Sequence, residues 1–298
     1  MRNIFYRISL TIILISAAVS CEWQDPLAGL AGPEHEVIKP ISKGFTVMSY
    51  NIYGARGLKL DADYLALASV IRQINPDFVL IQEVDSCTTR QGDLKCNSAI
   101  KLKEVLDSTT IDKWYYNYSP ADYNLYNLGG AYGDAVLSRH EILWEKDYQM
   151  DYAPEHATQK EREKRSVGII KVKINNRDVY IGCTHFDHLG SDHSRISQAY
   201  QLKDIVNEYE GEILILGGDF NSEPDSKTME IISEYMIPSY TDLTQYTFPS
   251  QRTGTPTKMI DYVMCAKYST GITCTSSKVL NNAASDHCAV YATYSFVE

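Results

Sequence analysis

The stretch 213-ILILGGDFNSEPDS-226 decides how the chain is read. Residues 213–216 are a short aliphatic run bounded by turn residues, which predicts a buried strand across 212–220. The strand ends on Asp219, and Gly217 and Gly218 just before it let backbone approach a ligand closely. Asp-Phe-Asn-Ser ahead of Pro224 would also suit a turn and a helix cap. The same pattern recurs, however: Asn51 follows TVMSY, Glu83 follows FVLIQ and His185 follows VYIGCT. α/β proteins place chemistry at the C-terminal ends of their strands. Any one polar strand end is ordinary. Several together, rich in acids, amide and imidazole and with no serine-nucleophile elbow, point to metal and water chemistry.

Outward from these ends, strands are expected at 45–52, 77–84, 131–138, 166–174, 178–184, 212–220, 258–265 and 287–296. Tyr64, Leu67, Ala68 and Ile71 recur at helical spacing, as do Ile196, Tyr200, Lys203 and Val206. Helices alternate with only some of the strands, and Asn175 and Asn176 join two of them as a hairpin, so the sheets should be mixed. No repeat, low-complexity tract or internal linker interrupts 44–298, which reads as one domain.

The 298 residues carry a formal charge of −10, so the chain offers no broad basic surface for gripping duplex DNA through its phosphates. A metal in a cleft can still attract one phosphate. Arg2 and Arg7 precede the apolar run 8–19, the pattern of an export signal and too short for a comfortable membrane span. Ala18, Val19 and Ser20 before Cys21 resemble a bacterial lipobox, without its preferred leucine. Residues 1–21 are therefore expected as a lipoprotein leader and 22–43, with its prolines and glycines, as a tether. On this reading the protein is exported and held at a bacterial membrane through lipidated Cys21, facing the periplasm or the surface. Of seven cysteines, six then remain. Cys87 with Cys96, and Cys265 with Cys274, bracket loops and could close locally, among fifteen possible pairings. Cys183 and Cys288, inside apolar strands, read as buried thiols.

Taken together, MSYNIYG, LIQEVD, YGDAVLSR, GCTHFDHLG, LGGDFNSEPDS, MIDYVMC and SDHCAV, in this order, resemble the endonuclease/exonuclease/phosphatase superfamily, which includes deoxyribonuclease I. The resemblance implies a four-layered α/β sandwich of two mixed β-sheets flanked by helices. It implies Mg²⁺, or Mn²⁺ in its place, held by Glu83 with Asn51 beside it, directly or through water, and with Asp286. Asp219 would activate the attacking water and Asn221 would hold a phosphate or leaving-group oxygen. His185 and His287 would flank the phosphate, with Asp134 and Asp261 as their respective carboxylate partners. Arg165 would fork onto a phosphate oxygen or pair with Glu83 or Asp187; His188 is a weaker candidate for substrate contact, and Asp192, His193 and Arg195 also suit a helix start.

The implied activity is hydrolysis of a phosphate ester by a monomeric enzyme. A nuclease or nucleotide phosphodiesterase comes first, a sphingomyelinase-like lipid phosphodiesterase or an inositol or sugar phosphatase second. A catalytically idle surface binding module is the reading from another class. Tyr115, Tyr116, Tyr118, Tyr123 and Tyr126 suit stacking on bases and equally suit a strand, and the charged loop 152–164 suits a cleft rim or solvent.

Overall fold

Alternation along the first strand, β1 (Gly44–Asn51), sets up the layers. Phe45 and Val47 point to one side, Met48 and Tyr50 to the other, and all four are buried. A strand covered on both faces needs a layer on each. In a computed structural model, which describes residues 44–56, 63–90, 96–109, 111, 113–153, 163–189, 191–239, 242 and 245–297, these layers are a second sheet and a pair of helices. The expected leader and tether lie outside the described residues, which all fall in one compact unit, Val37–Glu298. No described helix is long and apolar enough to cross a membrane.

Phe45 and Val47, with Phe78 and Leu80 of β2 (Phe78–Ser86), share a core with Ile169, Ile181 and Leu216 of the other sheet. On the opposite face, Met48, Tyr50, Val79 and Ile81 meet Leu67 and Ile71 of α1 (Tyr64–Ile74) and Leu102 and Leu106 of α2 (Ser98–Thr109). Asp63 caps α1 by accepting the Ala66 N–H at 2.9 Å, and Asn75 ends it in the left-handed conformation. The far face of the second sheet is covered by Ala199 and Leu202 of α3 (His193–Asn207) and Met229 and Ile232 of α4 (Lys227–Ile232). The result is the expected four-layered sandwich of two mixed sheets.

The first sheet has six strands in the order β11 (Ile272–Leu280), β12 (Ala289–Phe296), β1, β2, β4 (Ala131–Ser138) and β3 (Tyr115–Tyr123). The second runs β5 (Trp144–Met150), β6 (Arg165–Ile174), β7 (Arg177–His185), β8 (Ile213–Asp219), β10 (Asp261–Ala266) and β9 (Met236–Pro238). The pairs β1–β2 and β7–β8 are parallel, while the other described pairs are antiparallel. The Asn175-Asn176 turn joins β6 to β7 with both residues at positive φ, as a tight hairpin requires.

Strands β3, β5, β9 and β11 carry no clear apolar signal in the sequence. β5 is mostly solvent-facing, β11 is half-buried along most of its length, β9 has three residues, and β3 places Asn117 and Ser119 inward. The tyrosines 115, 116, 118 and 123 thus belong to an edge strand, with Pro120 at a register shift where a missing N–H does no harm. The strand expected from 258 begins only at Asp261.

Candidate active site

Both parallel pairs end at the same edge of the sandwich. Asn51 stands at the end of β1 and Glu83 three residues before the end of β2, and His185 pairs in register with Asp219 across β7 and β8. From the other side Asp261, first in β10, pairs with Asp219. β2 carries an irregularity between Ile81 and Val84, and Glu83 within it has φ +61°. A left-handed glutamate is costly, and the bulge turns its carboxylate out of the alternation toward the cleft.

Gly217 and Gly218 deliver Asp219. A Cβ on Gly218 would lie 1.9 Å from the Thr184 carbonyl oxygen, and one on Gly217 2.6 Å from that of Tyr262. The three strands can close around the acid only with glycine there. Asp219 Oδ2 accepts the Asn51 amide at 3.1 Å and lies 3.5 Å from His185 Nε2 and 3.6 Å from His287 Nε2. Its Oδ1 accepts the backbone N–H of Asn221 at 2.9 Å. Burial, and then repulsion from Asp261, raise its pKa to about 7 against the pull of His287.

The two histidines sit in different surroundings. Nδ1 of His287 donates to both Asp261 oxygens, at 3.0 and 3.1 Å. Burial disfavours its cation, but Asp261 and Asp219 outweigh that and raise its pKa to about 10. His185 has no such carboxylate on its Nδ1. Burial, followed by Arg165 and His287, drives its pKa well below the usual histidine value. Asn221 Nδ2 lies 3.1 Å from both the Phe186 carbonyl and His185 Nε2, so its two hydrogens are committed and Nε2 accepts. The proton of this neutral ring is then on Nδ1, facing the Tyr132 hydroxyl at 3.4 Å.

The structure therefore does not bring Asp134 to His185. Asp134 accepts from the Ser166 hydroxyl at 3.3 Å, between the sheets, and its other oxygen is buried with no hydrogen-bond partner. Burial raises its pKa to about 8. Tyr132, two residues earlier on the same face of β4, takes the place beside His185. Of the contacts expected for Arg165, the structure shows the one with Asp187. Arg165 is fully buried and donates to Glu163 at 2.7 Å, and Asp187 lies 3.9 Å away. His188 does reach the cleft, with Nδ1 3.5 Å from Glu163, a hydrogen bond that raises its pKa.

Asn51 stands beside Glu83, as expected. Its Nδ2 donates to Glu83 at 3.2 Å and to Asp219, while its Oδ1 accepts the Tyr53 N–H at 3.0 Å. Turning the amide round would set its oxygen against two carboxylates, so Asn51 offers hydrogens and not a metal ligand. Of the three expected metal residues, the two that line the cleft are Glu83 and Asp286. Burial raises the Asp286 pKa; His287 opposes this and the Glu83 charge adds to it. Two neighbouring acids of this kind suit a hard divalent cation. Asp219, Asp261 and His287 also lie within metal-ligand reach of one another, but Nδ1 of His287 is committed to Asp261 and the ring is cationic, which disqualifies it.

These groups line a cleft of about 650 Å³. Sequence reading missed several of its walls, Tyr53, Arg56, Arg90, Tyr132, Phe248 and Lys258, while Glu163 comes from the charged loop 152–164, for which a cleft rim or solvent was expected. Tyr132 was recoverable by counting back two from Asp134, whereas Phe248 and Lys258 come from a bridge between irregular segments with no pattern to find. Arg56 stacks on Tyr53 at 4.5 Å, and the Phe248 ring lies 4.7 Å from His287. Glu223, Asp225 and Asp192 line the other side beside Arg195, which is paired to Asp192. Behind the site Ser285 donates to the Asn51 carbonyl at 2.7 Å and Tyr50 to Asn282 at 2.7 Å, locking the loop that carries Asp286 and His287 onto β1.

The fold is shared with solved structures. An endonuclease/exonuclease/phosphatase from Beutenbergia cavernae superposes with a TM-score of 0.67 at 20% identity, over 86% of this chain and 72% of that one. A mannosyl-6-phosphatase of Bacteroides thetaiotaomicron gives 0.62 at 18% identity, over 85% and 100%. The human nocturnin catalytic domain with bound sulfate anion gives 0.60 at 18% identity, over 86% and 94%. No curated protein matches the sequence. The sequence pattern of the endonuclease/exonuclease/phosphatase family matches residues 48–287, which spans the site from the residues before Asn51 to His287. The chain belongs to that family of phosphate-ester-hydrolysing enzymes.

Proposed function

We propose that the protein is a Mg²⁺-dependent phosphodiesterase acting on nucleotides or short single-stranded nucleic acid, with Asp219, His287, Asn221 and His185 as its working groups. The observation that carries this reading is Asp219, buried at the cleft floor, held by Asn51 and set within 3.6 Å of a cationic histidine. A phosphate oxygen entering the cleft takes the Nε2–H of His287, whose charge Asp261 sustains. A second oxygen competes with His185 Nε2 for the Asn221 amide hydrogen. Asp219 then receives the proton of the attacking water, and Asn51 fixes the angle of its carboxylate. Glu83 and Asp286 would hold the metal, which when bound supplies positive charge to the phosphate oxygens. Phe248 beside His287 offers a face on which a base can stack.

A second reading, a phosphatase for phosphorylated sugars, is favoured by the exposed carboxylates Glu223 and Asp225 at the rim, which suit hydroxyl donors. The fold neighbour from Bacteroides thetaiotaomicron carries such an activity in its name. We also place the protein outside the cell, monomeric and anchored through Cys21; a Cys21→Ala change that leaves it membrane-bound would refute the anchor.

The test is a panel of single-stranded DNA, RNA, nucleotides, sugar phosphates and sphingomyelin with Mg²⁺, Mn²⁺ or chelator. Hydrolysis of the nucleic-acid class, lost on chelation and reduced about 10²–10⁴-fold by Asp219→Asn, is expected. Turnover that survives both sinks the mechanism, and turnover of sugar phosphates alone favours the second reading.

A further inference from the structure

The loop that follows β2 brings two cysteines together. Ser86 and Asn97 form an antiparallel bridge, and the next residues inward, Cys87 and Cys96, are joined by a hydrogen bond from the Cys87 N–H to the Cys96 carbonyl at 3.0 Å. In a regular antiparallel ladder, opposed residues keep their Cα atoms about 4.5–5.5 Å apart. A disulfide spans about 4.4–6.8 Å. Both are thiols in the structure, Cys87 exposed and Cys96 half-buried.

The backbone at Cys87 is held from a second side. It has φ +59°, and a Cβ on Gly130 would come within 2.2 Å of the Ser86 oxygen and 2.6 Å of the Cys87 carbonyl carbon. Thr89 N–H donates to the Leu128 carbonyl at 2.7 Å. Three residues past Cys87, Arg90 lies 2.7 Å from Asp85 and over the Tyr132 ring at 5.1 Å, and Tyr132 faces His185. The segment is thus a short strap from the β2 end to the cleft wall.

We propose that Cys87 and Cys96 are a disulfide site and that the link anchors the Arg90 strap against the cleft; the meaning of that anchor for hydrolysis rests on the function proposed above. The bond forms by exchange with a small disulfide. The Cys87 thiolate attacks one sulfur of the oxidant and expels its first thiol, then Cys96 attacks the mixed disulfide and expels the second. Two thiols of the protein lose their protons and two electrons, and the oxidant becomes two thiols.

The experiment uses the full chain equilibrated with glutathione disulfide or with excess dithiol, then alkylated, digested without reduction and mapped by mass spectrometry. The expected product is one peptide pair joined through Cys87 and Cys96, lighter by two hydrogens, and absent in Cys87→Ser and in Cys96→Ser. If both residues are recovered alkylated after oxidation, or each joined to a different cysteine, the site is refuted. Anchoring is read by amide hydrogen exchange. Peptides covering 86–90 should exchange several-fold more slowly in the oxidised chain than in the reduced one, and equal rates overturn the anchor. Neither readout uses turnover, so the link and the anchor stand or fall whether or not the protein hydrolyses a phosphate ester.

Discussion

At the scale of single residues, the site works by giving chemically similar groups different partners. His287 is a cation between two acids, and His185 is a neutral ring tied to an amide and a phenol. The Tyr132 hydroxyl makes a neutral hydrogen bond, worth about 1 kcal/mol. Tyr132→Phe is expected to lower kcat about fivefold at unchanged KM; steady-state kinetics on the preferred ester check this, and a change confined to KM would contradict it. Asp134 makes a pH prediction. Its pKa rises from 3.8 to about 8 on folding, chiefly by burial, so between those values the folded chain holds a proton that the unfolded chain has lost. Its effect on stability is absent below the lower value and becomes a growing penalty as pH rises toward the upper one. At about 1.4 kcal/mol for each pKa unit, Asp134→Asn should gain a few kcal/mol over the parent between pH 5 and pH 8. Denaturant unfolding at the two pH values checks this, and a constant difference between the two proteins would refute it. His185 and Asp219 were legible as strand ends, and Asp261, Asp286 and His287 only through the family motifs. Their pairings were not, since whether Asp134 or Tyr132 meets His185 depends on a ring reaching across the gap between sheets.

Among the elements, those buried on both faces announced themselves and the edges did not. β1, β2 and β8 carry apolar residues at successive positions because one sheet face meets helices and the other meets the opposite sheet. β5, WEKDYQM, is mostly solvent-facing, so nothing in its composition separates it from a loop. α2, SAIKLKEVLDST, is hard to read for a related reason: Ala99, Leu102 and Leu106 form a narrow stripe among lysines and acids. The end of β8 is the element most intolerant of change. Gly218→Ala would drive a methyl into the Thr184 carbonyl, part β7 from β8 and move Asp219 away from His185. Overpacking of this kind costs about 1–3 kcal/mol. A lower thermal midpoint together with a fall in kcat is expected, and a variant with parental turnover would show that this register does not position Asp219.

For the whole molecule, charge and topology set the limits. A net charge of −10 and the rim acids Asp192, Glu223 and Asp225 oppose a long polyanion threading the cleft. Salt screens such repulsion over about 8 Å at physiological strength. Hydrolysis of a long single strand should therefore rise as salt is raised from low values, while that of a mononucleotide ester changes little. A steep fall with salt for the long strand would instead reveal an electrostatic grip. The order of the first sheet has a temporal side as well. β1 lies inside the sheet, and one of its two neighbours is β12, with Gly44 opposite Ser295. About 250 residues must emerge between these partners, roughly 10–50 s of ribosomal synthesis. Until then β1 has an open edge, and Asn51 waits for the loop that brings Ser285 and His287. The site cannot assemble on a growing chain: it is completed by the last strand described, so any nascent fragment that stops short of β12 is inactive and exposes a sticky edge for a chaperone to cover.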